Sequence, residues 1–63
     1  MFKFKVMKQG SNKWIKTEAM CVEDAVANLF NDMVYLWETK EDVYVMVSIK
    51  YSTVMYAVVE IKE

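Results

Sequence analysis

A thiol, a small group of carboxylates and a set of aromatic and methionine side chains are the groups in this sequence with chemistry to offer. Cys21 stands directly before an amphipathic stretch, where the amides and dipole of a helix start lower a thiol pKa and favour a reactive thiolate. No histidine is available to take its proton, so the plainer reading is a small capping or semi-buried residue at a strand-to-helix junction. Glu38, Glu41 and Asp42 form the tightest acidic group and carry oxygens suited to a hard cation. They lack the glycine and the alternating ligand spacing of a calcium loop, and read as a solvated charged turn.

The missing residues exclude more. Without histidine there is no Ser-His-Asp or Cys-His nucleophile and no general base of the commonest kind. The single glycine, Gly10, is too few for the Walker phosphate loop or the dinucleotide fingerprint, which need several where backbone amides approach phosphate. One cysteine and no histidine also preclude an internal disulfide or a Cys/His zinc site. The expectation is a protein that is not an enzyme and carries no cofactor or metal. What remains is contact chemistry, which depends on the elements that present the aromatic and methionine residues.

Phe2, Phe4 and Val6 alternate with Lys3, Lys5 and Met7, the period-two signature of a half-buried strand. Gln9-Gly10-Ser11-Asn12 supplies turn residues, and Lys13 to Met20 returns as a second strand. It places Ile15, Thr17 and Ala19 on one face and Trp14, Lys16, Glu18 and Met20 on the other. From Val22 the period changes. Val22, Ala25, Val26, Leu29, Phe30, Met33, Val34, Leu36 and Trp37 fall within about half a helical circumference, with Glu23 and Asp24 at the positive end of the dipole. This predicts a helix over 22–37; a new strand starting at Met33 is the competing reading of the apolar run Met33 to Trp37.

After the charged connection Thr39 to Asp42, the segment Val43 to Tyr51 reads as a strand, with Val43, Val45, Val47, Ile49 and Tyr51 inward. Met55, Ala57, Val59 and Ile61 define the inward side of a last strand beyond the Ser52-Thr53 turn. The expected fold is α+β, ββαββ: a four-stranded, mainly antiparallel sheet with one helix packed on one face, forming a single domain over 1–63. A right-handed crossover would set the first and last strands parallel at the centre, in the order 2-1-4-3. In element order and size this resembles the β-grasp plan of the small immunoglobulin-binding domains of bacterial surface proteins. No shared motif carries their activity over.

At 63 residues the chain is near the lower limit for a self-sufficient core, so apolar burial must stabilise it, and the hydrophobic share of 56% suits that. The longest apolar runs, Met33 to Trp37 and Val43 to Val47, fall far short of the roughly 20 residues that cross a bilayer. No secretory leader is recognisable in Met1-Phe2-Lys3-Phe4-Lys5, so the expected location is cytoplasmic. Eight lysines against nine carboxylates, with no arginine, give a net charge of −1, which argues against a general nucleic-acid binder. The composition suits an AT-rich gene of phage or mobile-element type.

One helix covers one face of a sheet. On this reading Trp14, Tyr44, Met46, Tyr56 and Val58 form an exposed patch with Lys16 and Lys50 at its rim, unless lysine stems shield it. These seven residues are the expected partner-binding site. The Val43 to Tyr51 strand, if at an edge, offers a second route. The expected function is a protein–protein interaction module whose partner is another copy, as a homodimer, or a foreign protein, in the manner of a phage-type inhibitor of a host protein. The alternative is single-stranded nucleic-acid binding, with Trp14, Tyr44 and Tyr56 stacking bases among the lysines.

Overall fold

In a computed structural model that describes residues 1–62, the chain forms six elements. They are β1 (Phe2–Lys8), β2 (Ile15–Ala19), α1 (Val22–Phe30), β3 (Val34–Lys40), β4 (Val43–Ser48) and β5 (Met55–Glu60). The class is α+β, with one helix and a five-stranded sheet in the order β2-β1-β5-β4-β3. Every neighbouring pair is antiparallel.

The fifth strand comes from the segment expected to end the helix. Asn31 adopts the left-handed conformation (φ 53°), and its N–H bonds the Ala27 carbonyl at 2.9 Å, which stops α1 after Phe30. Asparagine tolerates this geometry better than most non-glycine residues. The helix therefore spans nine residues, not sixteen, and buries Ala25 and Val26 with Val22, Leu29 and Phe30 packed beside them. Met33, Val34, Leu36 and Trp37 continue the helical spacing by coincidence. Once the chain is extended, Val34 and Leu36 share one side and Tyr35 the other, as β3 pairs with β4.

An added strand reverses chain direction once more. The first and last strands do lie side by side, as in the order 2-1-4-3, but β1 and β5 run antiparallel instead of parallel. The β-grasp arrangement is thereby corrected. β2 and β3 occupy opposite edges, so the connection through α1 must cross the whole sheet. Five strands span roughly 19 Å between outer axes at the usual spacing, whereas nine helical residues reach only about 14 Å. The roof falls short at the far edge, and Leu36 on the helix side of β3 stays exposed. The expected edge strand over Val43 to Tyr51 also moves: β4 is flanked by β3 and β5.

The core lies between α1 and one sheet face: Phe4, Val6, Ala19, Ala25, Val26, Val34, Met46, Tyr56 and Val58. Tyr44 packs against it. Cross-strand partners share a face, and Val6 pairs with Val58, Val58 with Tyr44, and Tyr56 with Met46. All of these therefore look toward the helix. Both faces of β4 and β5 are inverted relative to the expected assignment.

Candidate functional surface

The inversion relocates most of the expected site. Met46 and Val58 have no exposed surface and Tyr56 is 3% exposed, so none of them can meet a partner. Large side chains are needed there, because Met46 and Tyr56 fill the space beneath a short helix that smaller residues would leave empty. Tyr56 stacks at a tilt on Phe30 with ring centroids 5.2 Å apart. Its hydroxyl donates to Oδ2 of Asp32 at 2.8 Å, and the Ser48 hydroxyl donates to Oδ1 at 3.0 Å. The Tyr51 N–H in turn donates to Ser48 Oγ at 3.0 Å. One carboxylate just past α1 thus ties the helix end to β4 and β5. Burial, followed by the hydrogen bond and the charge of Asp32, pushes Tyr56 up to about 12.

Trp14 and Lys16 do stand on the side away from the helix. Lys5 holds its Nζ 4.8 Å from the centroid of the Trp14 ring, a cation–π contact that partly screens it. Lys50 lies in the β4–β5 connection with its Nζ 5.3 Å from the Tyr51 ring, apart from the outer face. Cys21 is the exposed N-cap of α1 with no side-chain cap bond. Glu41 and Asp42 form the β3–β4 turn, and among the described residues no group of three His, Cys, Asp or Glu side chains is placed to hold a metal ion.

The outer face follows row by row from the strand register. Tyr35, Val47 and Met55 form one cross-strand row. Next comes Met7, Ala57, Val45 and Glu38, with Trp37 beside Glu38 in the irregularity between Leu36 and Glu38. Lys16, Lys5 and Val59 form the third row, level with Lys40, and Lys3 with Glu18 the fourth. The face is zoned along its strands: one end is aliphatic and aromatic, the other is lysine-rich. No helix covers it. Val47 is nonetheless only 4% exposed, because Tyr35 and Met55 flank it, while Tyr35 and Trp37 themselves are 43% and 62% exposed. A shallow groove lined by Tyr35, Trp37, Val47, Ser52 and Met55 opens at the apolar end.

Val45, Val47, Met55, Ala57 and Val59, with Tyr35 and Trp37, replace Tyr44, Met46, Tyr56 and Val58 as the apolar part of the surface. Sequence reading missed those on β4 and β5 because alternation there pairs an apolar residue with an apolar residue, so it fixes the period and not the side, and missed Tyr35 and Trp37 because their segment read as helix. The usable signal was the Tyr56 hydroxyl, which, if buried, needs a polar partner such as Asp32 beyond the helix end. Comparison of the chain with protein-family models, curated proteins and solved structures finds no match.

Proposed function

We propose that this protein is a non-enzymatic protein-binding module that docks through the outer face of its sheet. The observation that supports this reading is a face without a covering layer whose centre, Met7, Val45, Val47, Met55, Ala57 and Val59, is apolar and whose flank carries exposed Tyr35 and Trp37. Aromatic and methionine side chains are favoured at interface centres, with polar residues at the rim. Burying one large side chain contributes roughly 1.5 to 3 kcal/mol, so a few such contacts offset the cost of association. Inhibition of a larger host protein by a phage-type gene product is the specific form that the composition suggests.

The nucleic-acid alternative loses support, because Tyr56 is buried and Tyr44 packs toward the core. A photo-crosslinking residue at Ala57, with Glu23 on α1 as the control site, tests the docking reading in the cells that express the protein. Protein adducts confined to position 57 are expected. Labelling equal at both sites, or at neither, overturns it.

A further inference from the structure

We propose that β3 pairs edge to edge with β3 of a second copy, antiparallel about a two-fold axis at Tyr35. The backbone carries this. The Met33 carbonyl accepts the Ile49 N–H at 2.9 Å, and Val34 and Tyr35 lie opposite Ser48 and Val47, so Met33 and Tyr35 turn their polar groups toward β4. In an antiparallel ladder the alternate residues, Val34 and Leu36, turn theirs outward. Among the described residues no strand lies beyond β3 to receive them. A row of outward N–H and C=O groups is satisfied by another extended chain.

The two edges of the sheet differ. β2 is short and carries Lys16 and Glu18, and Asn28 Nδ2 donates to the Glu18 carbonyl at 3.1 Å, so α1 guards that edge. α1 falls short of β3. The segment Met33 to Trp37 holds no charge, proline or glycine, and Met33, Tyr35, Leu36 and Trp37 are all exposed. An apolar edge of this kind recruits strands.

Side-chain order names a second copy as that strand. Symmetric pairing centred on Val34 would set Leu36 opposite Asp32, and pairing centred on Leu36 would set Val34 opposite Glu38. Centring on Tyr35 sets Val34 against Leu36 twice on the helix side, Tyr35 against its own mate, and Met33 level with Trp37. No charged side chain enters any of these pairs, and methionine sulfur suits an aromatic neighbour. The irregularity between Leu36 and Glu38 takes the chain out of register, so the contact ends at Trp37. With both copies of β3 used, only the guarded β2 edges remain, and assembly closes at two. The outer faces stay open and run on side by side, which goes beyond the docking reading.

Sedimentation velocity on the full chain should show a dimer at about 100 µM that dissociates on dilution to about 1 µM. The Val34 and Leu36 amides should gain protection from hydrogen exchange at the higher concentration and lose it at the lower. Tyr35→Lys and Tyr35→Glu, at an exposed position, should each weaken dimerisation at least about tenfold, because like charges then meet across the axis. An equimolar mixture of the two variants should restore the dimer, which misfolded chains could not do. Ala57→Lys, at the centre of the outer face on β5, should leave the dimer intact. Wild type that stays monomeric at about 100 µM, or a variant mixture that stays monomeric, overturns the proposal while leaving adducts at position 57 to support docking. A dimer whose Leu36 amide exchanges freely, or one that Ala57→Lys abolishes, overturns it as well.

Discussion

The phenol of Tyr56 donates a 2.8 Å hydrogen bond to the carboxylate of Asp32, across the junction between the end of α1 and the middle of the sheet. The folded state holds this phenol protonated to about 12, against an ordinary 10.0. The unfolded chain releases the proton first, so the contribution is complete below pH 10 and fades as pH rises toward 12. Urea unfolding between pH 8 and pH 11.5 should show wild-type stability falling by up to about 1.4 kcal/mol more per pH unit than Tyr56→Phe. At pH 7 the same variant should cost about 1.5 to 3 kcal/mol, the net worth of a hydrogen bond to a charged acceptor.

Met46 and Trp37 should behave oppositely on truncation. Met46 has no exposed surface beneath α1, and Met46→Ala should destabilise by about 2 to 5 kcal/mol through lost burial and a residual cavity. Trp37 sits outside the core on β3, and Trp37→Ser should change stability by less than about 0.5 kcal/mol. Chemical denaturation of the two variants side by side checks the assignment of faces.

Lys40 pairs with Val43 across a two-residue turn in which Glu41 (φ 51°) and Asp42 (φ 65°) are both left-handed. That is the geometry for which Asn-Gly is preferred. Replacing Glu41-Asp42 by Asn-Gly should stabilise by about 1 kcal/mol, read as a rise in melting temperature of roughly 4 to 8 °C. A neutral or lower melting temperature would show that the turn is relaxed with its present residues.

Asn31 ends α1 in the same region of backbone space. Asn31→Gly should hold or raise stability, whereas Asn31→Ala should cost about 1 kcal/mol because a Cβ without a local hydrogen-bonding group disfavours φ 53°. Thermal melts of the pair separate conformational strain from loss of the side chain.

Much of the first half of the fold was legible because charge marks the sides. Lysines alternate with Phe2, Phe4 and Val6 on β1, and Lys16 with Glu18 opposes Ile15, Thr17 and Ala19 on β2, so period and orientation came together. β4 and β5 offer no such contrast. Val45 and Val47 compete with Tyr44 and Met46, and Ala57 and Val59 with Tyr56 and Val58, leaving the choice to the volume beneath the helix and to Asp32. The stop at Asn31 was obscured because the apolar spacing runs on through Trp37. An asparagine followed by an aspartate was the local sign that the helix had finished. The candidate surface inherited both difficulties: Trp14 and Lys16 were placed by charge alternation, whereas Tyr35 and Trp37 emerged only once β3 was a strand.

β5 follows the other four strands in this sequence yet is the middle one in space, bonded on one side to β1 and on the other to β4. Until residues near Glu60 are in place, the β1–β2 hairpin with α1 packed on it and the β3–β4 hairpin are two halves with no strand to join them. Folding must then be a late, concerted event, and loss of the segment after Ser52 should abolish structure altogether instead of fraying one end.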